Sequence, residues 1–178
     1  MSLNSNTAVA DWSADRGVRA NRMIDTLVIG IGNNLLTDDG AGVHVIDRLR
    51  EAGLPEHVEL VDGGTLGFAL LEQVESAHRL IVVDAAQLDA GPGTVQTFRD
   101  QEMDAYLTTC RRSSVHEVNL MDVISAAKFR GLMPERYALV GIQPASVDWG
   151  AEPTAEVARG VEEATQIILD MIREETPA

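Results

Sequence analysis

The sequence is poor in cysteine, in aromatic residues and in positive charge. Its 178 residues contain one cysteine and 14 Lys plus Arg against 28 Asp plus Glu, which gives a net charge of -14. A single thiol, Cys110, cannot form an intramolecular disulfide or a multi-thiolate metal site, so secreted disulfide scaffolds, zinc fingers and iron–sulfur clusters are excluded. The acidic surface repels phosphate backbones and anionic lipids, so we expect no nucleic-acid partner and no membrane partner. A reducing cytoplasm is the expected location.

Long hydrophobic runs are missing as well. No stretch reaches the ~18 apolar residues that a membrane-spanning helix needs. Residues 1–23 lack the apolar core of a signal peptide and show little apolar periodicity. We therefore predict a flexible tail over residues 1–23, followed by one globular domain over residues 24–178.

The rest of the chain alternates between strand patterns and helix patterns. Strands are predicted at Thr26–Ile31, Val58–Val61, Leu80–Asp84, Thr94–Phe98 and Tyr137–Ile142. Helices are predicted at Asp39–Glu51, Leu66–Glu75, Glu117–Phe129 and Thr154–Ile172. This order predicts a three-layer α/β/α domain with a mostly parallel, twisted sheet. The link Gly91-Pro92-Gly93 is too short for a crossover helix, so the strand at Thr94–Phe98 is predicted to be an antiparallel edge.

Acidic residues follow three of the predicted strands. Asp38 and Asp39 come after the first strand, the segment Asp62-Gly63-Gly64-Thr65 follows the second, and Asp84 ends the third. Ligands in open α/β sheets bind beyond the carboxyl ends of the parallel strands, so these segments should meet at one rim. His116 lies at the start of a predicted helix, where the positive helix end favours the neutral imidazole that a metal requires. Together, Asp39, Asp84 and His116 suit a borderline divalent ion with open coordination positions.

Other interpretations of these residues stay open at this stage. Asp38 or Asp39 could cap the following helix, and Asp84 could be a solvated loop residue. The glycines Gly63 and Gly64 could form a tight turn, or their N–H groups could contact a substrate strand or a developing oxyanion. A dinucleotide site is disfavoured because Leu35 stands at the third glycine position of GxGxxG, and a zincin is excluded because Leu120 stands at the second histidine of HExxH.

Four motifs resemble the hydrogenase maturation endopeptidases. They are GIGNNLLTDDGAGV from Gly30, DGGT from Asp62, VVDA from Val82 and SVHE around His116, within a match that extends from Thr26 to Ile172. The resemblance implies a hydrolase that removes a short C-terminal extension from the large-subunit precursor of a nickel–iron hydrogenase after nickel insertion.

The same resemblance places the metal-contacting and catalytic positions on Asp39, Asp84 and His116. We expect Asp38, Gly63, Gly64 and Thr65 to contact the substrate. The implied metal is nickel recognised in the substrate, although other divalent ions can occupy such a site. Two roles for the carboxylates remain open, namely metal binding and general-base catalysis. A nickel chaperone without peptidase activity and a structural adaptor are the alternative functions.

A first prediction concerns the tail. A chain that begins near Met23 should fold and process its substrate like the full chain, because residues 1–22 lack the apolar periodicity needed to dock. Thermal melting and mass spectrometry of the substrate measure both properties. A clear drop in melting temperature or in processing rate would show that the tail contributes.

Overall fold

The computed structural model describes residues 23–65, 67–109 and 115–174, and it describes the side chains of these residues except those of 115–119. It contains one five-stranded sheet with the order β2-β1-β3-β5-β4. The first four strands in that order are parallel, and β4 pairs antiparallel with β5 at the edge. The strands are β1 Ile24–Ile31, β2 Val58–Gly64, β3 Ala77–Ala85, β4 Val95–Arg99 and β5 Arg136–Ile142.

Helices cover both faces of the sheet and complete the three layers. They are α1 Ala41–Ala52, α2 Leu71–Ser76, α3 Gln101–Thr109, α4 Val115–Phe129 and α5 Ala155–Arg173. Alternate side chains of each buried strand point to opposite faces. In β1, Val28 packs with α1 and α5, whereas Leu27 and Ile29 pack with α2, α3 and α4. The predicted α/β/α class and the antiparallel edge strand are confirmed.

The structure also differs from the predicted elements. The turn Thr37–Gly40 is a short 3-10 helix that precedes α1, and a second 3-10 turn precedes α2, as is frequent at helix N-termini. Strand β2 continues to Gly64, beyond its predicted end at Val61. Helix α3 was not predicted at all. Its buried positions, Met103 and Leu107, form a single i,i+4 pair, which is a weak helical signal.

Close packing of α1 on the sheet fixes the position of the turn before it. A Cβ atom on Gly42 would lie 2.3 Å from the carbonyl oxygens of both Ile31 and Val83. The first turn of α1 therefore rests directly on the backbones of β1 and β3, a distance that only glycine permits. The preceding turn, Thr37–Gly40, in turn contacts β3. This packing brings the acidic segment after β1 to the carboxyl end of the central strand.

Candidate active site

Asp39 lies in the turn that joins β1 to α1. Its side chain is partly exposed, and its Oδ2 accepts a hydrogen bond from the Asn33 backbone N–H at 3.3 Å. It does not cap the helix, because the N-cap of α1 is Gly40 and no side-chain hydrogen bond caps that end. The structure thus holds the Asp39 carboxylate at the rim of the sheet, across the turn from Asn33. Asp39 remains partly accessible to solvent there.

Asp84 lies near the carboxyl end of β3, the central strand. It is only 2% exposed and stands in register with Gly141 of β5. The alternative interpretation of Asp84 as a solvated loop residue is therefore wrong, because the strand continues through it and its neighbours cover it. Burying a carboxylate is costly, so proteins reserve such positions for groups with a specific partner or task. Asp84 lies two residues after Val82 in the strand, so both side chains point to the same face of the sheet. That face is the one covered by α2 and α4.

His116 lies in the first turn of α4, and its side chain lies outside the described side chains. Helix α4 leads into β5, which runs parallel to β3, so α4 begins near the carboxyl edge of the sheet. The backbone thus brings His116 to the same edge as Asp39 and Asp84. Among the side chains of residues 23–65, 67–109 and 120–174, no group of three or more His, Cys, Asp or Glu is placed to hold a metal.

The end of β2 borders an apolar cleft at this rim. Gly63, Gly64 and Thr65 line this cleft together with Leu120 and Val123 of α4. Gly64 has a φ of 45°, its N–H donates to the Asp62 Oδ1 at 3.0 Å, and its carbonyl accepts from the Gly32 N–H. The Gly64 N–H therefore serves a tight turn beside this cleft.

Asp38 has surroundings very different from those of Asp39. Its carboxylate is fully buried and accepts hydrogen bonds at 2.6–3.0 Å from the backbone N–H groups of Ala145, Ser146 and Thr154 and from the Thr154 hydroxyl. Burial alone raises the pKa of Asp38, but these donors lower it further than burial raises it, so the net pKa is below the usual value. The sequence predicts that Asp38 contacts the substrate. Its buried hydrogen bonds instead favour a role in positioning the loop that contains Ala145 and Ser146.

Known proteins similar to this chain include hydrogenase maturation and hydrogenase expression/formation proteins. The family model described as hydrogenase maturation protease matches residues 43–171. The Hydrogenase 2 maturation protease of Escherichia coli is 39% identical over 152 residues, covering 83% of this chain and 90% of that protein. A hydrogenase expression/formation protein, HupD, of Rhodobacter capsulatus is 39% identical over 150 residues, covering 83% and 70%. This chain belongs to the hydrogenase maturation protease family.

Solved structures agree with that assignment. The maturating endopeptidase HybD from Escherichia coli superposes with a TM-score of 0.79 at 38% identity, covering 85% of this chain and 93% of that one. The maturation protease HybD from Thermococcus kodakarensis gives 0.70 at 26% identity, covering 84% and 99%. As a member of this family the chain is an endopeptidase, which favours peptidase activity over the chaperone and adaptor alternatives.

One further feature of the structure, the burial of Gln143, was not predicted from the sequence. Gln143, at the end of β5, is buried, and its Oε1 accepts hydrogen bonds from the N–H groups of Leu88 and Ala90. It thereby orders the segment that leaves β3 just after Asp84. No local pattern marked this residue, because its partners lie more than fifty positions away in the chain.

Among the described helices, none has both the length and the apolarity required to cross a bilayer.

Proposed function

We propose that this family member removes a short C-terminal extension from the large-subunit precursor of a nickel–iron hydrogenase, and that it acts on the nickel-loaded form. The observation that carries the proposal is the meeting of three elements at one rim. The turn bearing Asp39 contacts β3, Asp84 is the residue before the last one of that strand, and the first turn of α4 carries His116 at the same edge. The names of the relatives support the substrate class, since one is a hydrogenase maturation protease and the other a hydrogenase expression/formation protein.

The donor types at the rim suit nickel carried by the substrate. Carboxylate oxygens and an imidazole nitrogen bind borderline divalent ions, but two carboxylates and one imidazole form a weaker cage than histidine-rich sites do. In the proposal, Asp39, Asp84 and His116 complete the coordination of a metal that is already seated in the precursor. Binding energy then becomes available only when the metal is present, so the loaded precursor is preferred over the empty one.

The apolar cleft supports a role in holding the extension. Its wall beside β2 ends in Gly63-Gly64-Thr65, and Thr65 is exposed at the mouth. Among the described residues, β2 is one of the two edge strands of the sheet, so a bound segment can lie along it in extended form. In the proposal, the extension lies over this cleft, close to the end of the strand that carries Asp84. We accordingly propose Gly63, Gly64 and Thr65 as substrate-contacting residues.

A metal-removal experiment tests the proposed gating. The protein is treated with chelator, desalted and mixed with nickel-loaded or nickel-free precursor, and the precursor mass is followed. We expect loss of the C-terminal peptide from the loaded precursor only, because the metal arrives with the substrate. Equal cleavage of both forms, or activity that returns only when zinc is added to the protease, would contradict the gating model. An unchanged mass for both forms would instead support a chaperone or adaptor.

A further inference from the structure

Three large apolar side chains are exposed on neighbouring loops at the carboxyl edge of the sheet. Trp149 is 84% exposed, Leu35 57% and Val147 54%. Leu35 belongs to the loop after β1, whereas Val147 and Trp149 belong to the loop after β5. We call these three residues the Trp149 surface. Single exposed apolar side chains are common, but a group of them at one place on an acidic protein usually marks an interaction site.

The two loops are joined by their backbones. Leu36 and Gly150 form an isolated parallel bridge, in which the Gly150 N–H donates to the Leu35 carbonyl at 3.0 Å. The Thr37 N–H donates to the Gly150 carbonyl at 2.7 Å. Leu35 and Trp149 consequently occupy neighbouring positions on paired backbone segments. The exposure of these side chains is therefore a property of a fixed structure rather than of a loose loop.

The buried Asp38 carboxylate strengthens that arrangement. Its Oδ2 accepts the N–H groups of Ala145 and Ser146, the two residues that immediately precede Val147. The Thr37 hydroxyl also donates to the Ser146 carbonyl at 2.9 Å. A buried charge with several donors fixes the loop after β5 against the turn before α1. That fixed loop presents its apolar side chains to solvent instead of burying them.

The Trp149 surface lies beside the active-site rim. Asp39 follows Asp38 directly, so the joined loops and the active-site rim are one continuous structure. A precursor whose extension lies at the rim must place its folded body beside that rim. We propose that the Trp149 surface is a docking site for the folded body of the large-subunit precursor, an inference that rests on the proposed function.

Charge favours this occupant over a second copy of the chain. Each copy carries a net charge of -14, so two copies repel one another. Asp148 and Glu152 flank the surface and are exposed, which suits a partner face with an apolar centre and basic residues around it. The precursor face that docks here should therefore combine those two properties.

Processing kinetics on the nickel-loaded precursor test the proposal. For Trp149→Ala we expect KM to rise about tenfold with kcat nearly unchanged, because the surface contributes binding away from the reacting bond. Leu35→Ser should act in the same direction. Phe129→Ala is the matched control, since Phe129 is 93% exposed but lies at the other end of α4. A rise in KM for the control as well, or a loss confined to kcat, would overturn the proposal.

A direct signal from residue 149 separates the possible occupants. The chain has two tryptophans, so Trp12→Phe leaves Trp149 as the single site for 5-fluorotryptophan. With the active site intact and nickel-loaded precursor in excess over the enzyme, the fluorine resonance should shift while processing continues. A resonance that does not move, while the wild-type enzyme processes the precursor, rejects the docking site and leaves the proposed function intact.

Three other outcomes would each overturn the docking site. If the wild-type enzyme processes no precursor, the proposed function fails and the docking site fails with it. If the resonance moves with enzyme concentration alone, the occupant is a second copy. If it moves when residues 1–22 are removed, the occupant is the N-terminal segment of this chain. Each of the last two results would overturn the assignment to the precursor.

Discussion

Asp39→Asn and Asp84→Asn should each lower the processing rate by at least about 100-fold, and His116→Ala should do the same. Asparagine keeps the size of aspartate but removes the negative charge, so it cannot act as a general base and binds divalent ions poorly. The loss is therefore expected whether the carboxylates bind metal or accept a proton. Mass spectrometry of the nickel-loaded precursor over time measures the rate.

The fold of each variant has to be checked alongside its activity. Circular dichroism and thermal melting should remain close to wild type, since the substitutions change a few atoms at the rim. Asp47→Asn is the matched control, because Asp47 is an exposed residue of α1 whose hydrogen bond to Arg50 contributes little. Wild-type rates in all three site variants, with an unaltered fold, would show that the site is assigned to the wrong residues.

Binding measurements distinguish the two chemical roles that the sequence leaves open. If Asp39 is a ligand to the substrate's nickel, the Asp39→Asn variant should lose its preference for loaded over nickel-free precursor. If Asp39 serves only as a base, that preference should persist while cleavage stops. The same comparison applies to Asp84. An effect on KM with little effect on kcat would indicate binding, and the reverse would indicate the chemical step.

Much of the fold could be predicted from local sequence because its signals are short in range. The β-branched run at Thr26–Ile31 predicts a strand buried on both faces, and Leu27, Val28 and Ile29 are indeed almost fully buried. The short link Gly91-Pro92-Gly93 correctly predicts the antiparallel edge strand. The rule that ligands bind at the carboxyl ends of strands also places Asp39 and Asp84 at the rim of the sheet, where both are found.

Features that depend on distant partners could not be predicted. The donors to Asp38 are 107 to 116 positions away, so its buried role leaves no mark in the residues beside it. Adjacent aspartates look alike in sequence, yet Asp38 turns inward and Asp39 stays partly exposed. The exposure of Trp149 is equally a result of tertiary structure, because the isolated sequence around it favours neither a buried nor an exposed indole.

Asp38 anchors the loop after β5 to the turn before α1, so its removal should lower the stability of the fold. Asp38→Ala removes the acceptor for three part-buried backbone N–H groups and one hydroxyl. A buried donor left unsatisfied costs about 1–3 kcal/mol, but water replaces part of that loss at these part-buried groups, so we expect a loss of roughly 3–5 kcal/mol in the free energy of unfolding. For a protein of this size, that corresponds to a melting temperature lower by about 10 °C. Urea unfolding and thermal melting measure the two quantities.

The pH dependence of that loss tests its electrostatic origin. The pKa of Asp38 is lowered in the folded protein, so its contribution to stability is complete above the unfolded-state pKa of about 4 and is lost as the pH falls below it. The stability difference between wild type and Asp38→Ala should therefore be constant from about pH 7 to pH 5 and should shrink below pH 4. Asp47→Ala, which removes an exposed carboxylate, should show a much smaller difference throughout. A difference for Asp38→Ala that stays constant down to pH 3 would mean that the residue stabilises the loops by packing, because loss of its charge would then leave their stability unchanged.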